Sequence, residues 1–434
     1  HESLIFSVTK IFLMLYHNMK VYLVEDKVLD FSSTFCSLPF NHAFVGPGGE
    51  QKPCSRFLRP LINYDDYEGT MNELRHYKMT GQRHPGCRKC YEEEDAGRTR
   101  SLRQIYNNVS GFNYDIVHDV DPNNPKVTWL ELSFSNRCNL KCRMCGPFYS
   151  TTWFEDWAEV PEYAFGVAGV GNTREAVNKF LAVNKKKPIT FDVTTLDKYI
   201  PDLRMVKLTG GEPFLIPEYD YILEKVHEIG HAENMWLDYS TNLTVRPKKR
   251  LLELWSKYKQ IKFATSLDGI GKVIEYQRNP TKWETVDTVM NDLMQIPNAW
   301  VGVRTTQTIY NILDMPNIAM YFAELEDKYH KTHSHVNAFG EDSWLNFVCA
   351  STPEFVSITV LPKWAKDIVA ERLAWSAPTQ KIQDNFDHIV NYMYNEDNSH
   401  RLPQFVDYTK KLDKLRGESF AEVVPEFAGL LNEV

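Results

Sequence analysis

Ser135-Asn136-Arg137-Cys138-Asn139-Leu140-Lys141-Cys142-Arg143-Met144-Cys145-Gly146-Pro147 carries three cysteines spaced C-x3-C-x2-C, directly after an apolar run, Val127–Phe134, that reads as a strand. Three thiolates can hold a 4Fe–4S cluster while leaving one iron without a protein ligand, whereas closed electron-transfer clusters usually take four cysteines. An open iron can bind a substrate and act on it. The end of a strand is also where open α/β sheets place their ligand loops. Two other readings stand beside this one. One is a zinc knuckle; the other is a closed site completed by a distant fourth cysteine, for which Cys349 is the candidate.

One strand later comes Lys207-Leu208-Thr209-Gly210-Gly211-Glu212-Pro213-Phe214. The paired glycines allow close approach to the backbone, and the carboxylate that follows can take a cationic group. A Gly-Gly-Glu alone is usually a turn. Following a three-cysteine loop, it points to one shared site.

On these two motifs the chain resembles the radical S-adenosylmethionine superfamily. The resemblance implies that Cys138, Cys142 and Cys145 ligate a 4Fe–4S cluster whose fourth iron is chelated by S-adenosylmethionine. Gly210, Gly211 and Glu212 would then face the methionyl ammonium, and Met144 would lie near the adenine. Further strand-end segments fit the pattern: Tyr239-Ser240-Thr241-Asn242, then Thr265-Ser266-Leu267-Asp268-Gly269, with Arg278 shortly after. The resemblance gives Ser240, Asn242, Ser266, Asp268 and Arg278 polar contacts to the ribose and carboxylate, an arginine being able to fork onto a carboxylate. The implied reaction is reductive cleavage to methionine and a 5′-deoxyadenosyl radical, which takes hydrogen from a peptide or small polar substrate. The cofactor carries the chemistry while the protein supplies orientation and a dry pocket. The implied partner is an external electron donor such as a flavodoxin or ferredoxin.

Four more cysteines, Cys36, Cys54, Cys87 and Cys90, are spaced C-x17-C-x32-C-x2-C. Four thiolates close a zinc site or a 4Fe–4S cluster, and spacing does not separate the two. The pattern resembles the twitch or SPASM-type auxiliary domain, here placed before the main domain. That resemblance implies a second, auxiliary 4Fe–4S cluster, with zinc as the alternative.

Composition narrows the partners. The 434 residues are 43% hydrophobic and carry a net charge of -8. No bulk basic excess draws the chain to nucleic acid or to an anionic membrane. A tRNA- or nucleotide-modifying enzyme is the alternative within the same superfamily, and the acidic balance counts against it. A non-catalytic iron–sulfur or zinc protein is the alternative outside it. Clustered C-x2-C spacing in a long chain favours metal binding over disulfides, which implies a reducing, cytoplasmic setting. Leu4–Tyr16 is too short to span a membrane and is interrupted by Lys10.

The expected fold class is α/β, a partial (β/α)6 barrel with a small loop-rich N-terminal cysteine domain and a helical tail. Residues 1–18 read as an upstream extension, 19–125 as the auxiliary domain, 126–375 as the barrel and 376–434 as the helical segment, with a breaker at Asp121–Pro125. The expected strands are Val127–Phe134, Met205–Leu208, Met235–Tyr239, Ile261–Leu267, Trp300–Thr306 and Phe355–Leu361, each but the first followed directly by a helix. Insertions are expected at Thr151–Leu203 and Thr332–Thr352. Proton-transfer candidates are Tyr239, Tyr310, His333, His335 and Glu341, with no role assigned among them. Trp153, Phe154 and Trp157 read as packing residues, and Cys349 as a buried, inert thiol.

Overall fold

Eight strands form among the described residues: β1 (His42–Val45), β2 (Gln51–Lys52), β3 (Trp129–Leu132), β4 (Met205–Leu208), β5 (Trp236–Thr241), β6 (Gln260–Thr265), β7 (Ala299–Gln307) and β8 (Leu345–Cys349). The computed structural model describes residues 34–95, 101–107, 123–163, 166–167, 169–184, 187–330, 345–350 and 353–433. Residues 1–18, part of the breaker at 121–125, His333, His335 and Glu341 lie outside them.

The described residues group into two compact units. The first holds residues 34–44 and 51–130, and the second holds 45–50 and 131–433. In the second unit β4 to β8 lie side by side in chain order. The pairings from β4 through β8 are all parallel, with Met205 opposite Trp236, Trp236 opposite Gln260, Ile261 opposite Ala299 and Val303 opposite Leu345. Parallel neighbours need a crossover, and helices supply it at Pro217–Glu228, Lys249–Trp255, Trp283–Met294 and Met315–Tyr329.

Alternation along the strands divides the two faces of the sheet. On one face Leu237, Tyr239, Ile261, Phe263, Val301 and Val303 are buried. Trp255, at the end of its helix, packs on Tyr239 and Phe263 there, with ring centroids 5.3 and 5.1 Å away. The other face carries charge. Lys207, Asp238 and Lys262 stand in register across three strands, with Lys207 Nζ 2.8 Å from Glu131 and Lys262 Nζ 3.8 Å from Asp238.

The last parallel strand is not the one the sequence suggests. It is β8, inside the expected second insertion. Phe355–Leu361 folds instead as two short 3-10 turns, Glu354–Val356 and Ile358–Val360, bracketed by Pro353 and Pro362. Each proline removes a ladder donor, and the Ser357 hydroxyl accepts from the Thr359 amide to start the second turn. The first insertion contains the helix Arg174–Asn184 and a 3-10 segment, Val193–Asp202. The expected tail helix forms at Gln380–Asn395, burying Phe386, Ile389 and Met393, with Val390 half-buried. A second helix, Leu402–Arg416, follows it.

The first unit is more helical than its loop-like composition suggests. Tyr67–Met79 is a helix whose N-cap, Asp66, accepts from the Gly69 amide at 2.9 Å. Arg88–Asp95 and Leu102–Asn107 are shorter helices. Phe57, Ile62 and Leu74 form a small core with Cys54, Tyr67 and Cys87 packed against it. No helix among the described residues is long and apolar enough to cross a membrane.

Candidate functional site

The three-cysteine loop leaves the end of β3 and is held by its backbone carbonyls. The Thr152 hydroxyl donates to the Cys138 carbonyl at 2.7 Å, the Trp153 indole to the Cys142 carbonyl at 3.0 Å, and the Ser150 hydroxyl to the Leu140 carbonyl. Asn136 Nδ2 ties the start of the loop to the Pro147 carbonyl at 3.0 Å. Trp153 is therefore a brace for the loop. Phe154 and Trp157 turn away from it and pack with Val177. These loop carbonyls would be costly to bury unpaired, so the bonds fix the backbone from which the thiols project.

All three thiols are free and feel one another. Burial pushes Cys138 up to about 12, with Cys142 adding to the shift. Burial also raises Cys142 and Cys145, and the neighbouring Arg278 opposes the rise in both. The thiols thus hold their protons in the metal-free protein, and ligation must displace them. Two donors face the sulfurs: Asn242 Nδ2 lies 3.8 Å from Cys138 Sγ, and Arg278 Nη1 lies 3.8 Å from Cys142 Sγ. Both suit anionic sulfur, so the donor set fits a thiolate-bound 4Fe–4S cluster.

The two glycines pack against this loop. Gly211 N donates to the Ser135 carbonyl at 3.0 Å, and Glu212 N donates to the Arg137 carbonyl at 2.8 Å. A Cβ on Gly211 would stand 2.1 Å from the Arg137 carbonyl oxygen, and one on Gly210 would stand 2.8 Å from that of Ser135. Gly210 also has a φ of +100°, where side chains are disfavoured. The glycines are thus required by the approach of two backbones.

Glu212 is fully buried. Its Oε1 accepts from the Thr241 hydroxyl at 2.9 Å, and its Oε2 from the Asn242 amide at 2.7 Å. Burial pushes its carboxyl up to about 7 despite these bonds. Thr241, which the sequence reading passed over, is its hydroxyl partner. Asn242 in turn bonds Asn139 within the loop at 3.1 Å. The carboxylate therefore joins the ends of β4 and β5 to the cysteine loop.

Arg278 has a carboxylate partner of its own. Its Nε and Nη2 both reach Asp268 Oδ2, at 2.6 and 2.5 Å, and Asp268 Oδ1 accepts from the Thr306 amide at 2.7 Å. The fork expected for a bound carboxylate is directed onto Asp268. Met144, Ser240 and Ser266 are half-buried. Cys349 lies on β8, half-buried, with Sγ 2.9 Å from Gln307 Oε1.

Neither tyrosine proposed for proton transfer is poised for it. Tyr239 is buried on the apolar face of the sheet, its hydroxyl accepting from the Trp255 indole at 3.0 Å. Tyr310 is buried with its hydroxyl 2.9 Å from that of Thr409. Burial raises both hydroxyls, so each stays protonated.

Sequence reading also passed over Arg143, between two of the cysteines. Its side chain is fully buried, with Nη2 2.6 Å from both Asp413 and Glu418 and the guanidinium 3.6 Å from the centre of the Tyr276 ring. Tyr408 donates to the Arg143 carbonyl at 2.8 Å. An arginine between two cysteines is the one sequence signal for this contact, since its partners lie about 270 residues away.

In the first unit Cys36, Cys54, Cys87 and Cys90 line one cavity, with Arg56, Lys78 and Arg103 beside them. Cys54 feels all three other thiols. Burial pushes Cys36 up to about 12 and raises the rest. Among the described residues no group of three Cys, His, Asp or Glu side chains is arranged to hold a single metal ion.

Comparison with known proteins bears on the second unit. Residues 132–297 match the family model described as Radical SAM superfamily. A solved structure described as "Structure of TYW1 with a lysine-pyruvate adduct bound" is similar over 44% of this chain at 15% identity and a TM-score of 0.24. The match spans 58% of that chain, less than two thirds of its length. No curated protein matches the chain. The cysteine loop, the Gly-Gly-Glu turn and the strand ends that bond to them all fall inside the matched residues: the chain carries a radical SAM superfamily domain at 132–297.

Proposed function

We propose that this chain is a radical S-adenosylmethionine enzyme that takes a hydrogen atom from a peptide or a small polar substrate. A 4Fe–4S cluster on Cys138, Cys142 and Cys145 would supply the electron that cleaves S-adenosylmethionine to methionine and a 5′-deoxyadenosyl radical. The observation that carries this reading is the gathering of three thiols, Cys142 buried and Cys138 and Cys145 half-buried, beside Glu212 and Asn242 at adjoining strand ends.

The chain's own residues would act by holding and shielding. Asn242 and Arg278 direct N–H groups at ligand sulfurs, which stabilises them as thiolates. Ser150, Thr152 and Trp153 fix the loop. Glu212 offers a buried carboxylate to a cationic group, and any such ligand would offset the cost of its burial. Ser240 and Ser266, half-buried near the same strand ends, are left for the polar groups of the nucleoside and amino-acid parts.

For the four-cysteine cavity we read an auxiliary 4Fe–4S cluster, with zinc as the competing occupant. Four thiols lining one cavity can close around either occupant, and the resemblance of their spacing to the auxiliary domain favours the cluster. An external one-electron donor is required in either case.

The test is spectroscopic. Reduced, reconstituted protein should show a cluster EPR signal that changes when S-adenosylmethionine is added. The change should be absent from a Cys138→Ala, Cys142→Ala, Cys145→Ala triple variant. An unaltered signal in the parent protein sinks the proposal.

A further inference from the structure

Lys78 lies in the last turn of the helix Tyr67–Met79, fully buried, on the wall of the four-cysteine cavity. Lysines are almost never fully buried unless paired. Its Nζ bonds the Tyr91 hydroxyl at 2.5 Å and lies 5.0 Å from the centre of that ring. It also reaches Cys87, and Cys36 lies within its field.

The neighbouring arginines are provided for, and Lys89, which also lines the cavity, is exposed. Arg56 pairs with Glu93, Arg83 with Asp95 and Arg103 with Glu94, all three carboxylates coming from the helix Arg88–Asp95. Arg83 and Arg103 also lie over the Tyr91 ring, at 4.8 and 5.9 Å. Among the described residues Lys78 has no carboxylate partner, although it is the most buried of the four. Its nearest polar neighbours are the Tyr91 phenol and the Cys87 thiol, with Cys36 and the buried imidazole of His84 also in its field. A charge in that position is costly unless an anion faces it.

We propose that Lys78 is a positioning residue for the four-cysteine site, a fixed buried cation that offsets the negative charge of a thiolate-bound centre and raises its reduction potential. The inference rests on the reading that Cys36, Cys54, Cys87 and Cys90 hold such a centre. Four thiolates around a 4Fe–4S core in its 2+ state carry a net charge of about -2, and a buried cation favours the more negative, reduced state. Lys78 therefore biases the centre toward accepting an electron.

The experiment uses the full chain with Cys138, Cys142 and Cys145 changed to Ala, so that only the second centre remains. Lys78→Met, Lys78→Gln and Lys78→Arg are made in that background. Iron and sulfide are measured first, then the midpoint potential by EPR-monitored titration. Met and Gln should shift the potential to more negative values, while Arg should stay near the parent. Loss of iron from Met and Gln, with retention in Arg, supports the same charge requirement. An unchanged potential in Met and Gln overturns the proposal, and so does loss of iron from all three. Zinc in place of iron in the background protein defeats the iron–sulfur reading and, zinc being redox-inert, overturns the reduction-potential part of the proposal. The charge requirement is then read from zinc retention across the same variants, with equal retention overturning it.

Discussion

Arg143 Nη2 lies 2.6 Å from Asp413 Oδ1, so a residue between two of the three clustered cysteines is ion-paired to the helix Leu402–Arg416. Asp413 also accepts from the Tyr276 hydroxyl and the Phe420 amide, both at 2.7 Å. Removing one partner of a buried pair costs on the order of 3–5 kcal/mol. Glu418 still faces Arg143, so Asp413→Ala should lose stability near the lower end of that range. Urea unfolding of the metal-free protein measures it. A loss below 1 kcal/mol would remove the helix from its place as a support of the loop.

Gly211 is where the Gly-Gly-Glu turn touches the cysteine loop. A Cβ there meets the Arg137 carbonyl oxygen at 2.1 Å, and backbone cannot swing aside as a side chain can. Gly211→Ala should cost about 1–3 kcal/mol and lower iron incorporation. Gly230→Ala is the control: its φ of +77° imposes strain, but open space surrounds it, so iron incorporation should be unaffected.

Glu212 gives a pH signature. Its carboxyl moves from 4.5 up to about 7 through burial, so between those values the folded protein binds the proton that the unfolded chain has released. Its contribution to stability is intact below about 4.5 and is lost as pH rises through about 7. The loss is on the order of 2–4 kcal/mol. The metal-free Glu212→Gln variant should lose this part of the pH dependence, seen by comparing unfolding at pH 5 and pH 8. Parallel profiles for parent and variant would show that Glu212 does not titrate in this window.

Metal content separates the occupants of the two cysteine sites. Anaerobically reconstituted protein should hold about eight irons per chain, from two 4Fe–4S clusters. Cys87→Ala with Cys90→Ala should leave about four. Four irons and one zinc in the parent protein would identify the second site as structural zinc.

The order of strands and helices was legible because short apolar runs alternate with amphipathic ones, such as the helix Trp283–Met294. Phe355–Leu361 misled because it is as apolar as a strand, while the prolines at either end act only through the backbone. The cysteines and Gly-Gly-Glu were legible as local motifs. Their supports were not. Thr241, Trp153 and Asp413 are ordinary residue types, placed by folding against distant segments. Lys78 was hidden for a stronger reason, since a lysine in a helix with acidic and polar neighbours reads as exposed.

Product analysis tests the central claim most directly. Iron-loaded protein, reduced under anaerobic conditions and supplied with S-adenosylmethionine, should form 5′-deoxyadenosine, and Cys142→Ala should form none. Reduced, iron-loaded parent protein that binds S-adenosylmethionine and yields no 5′-deoxyadenosine, with or without candidate substrates, would contradict the account.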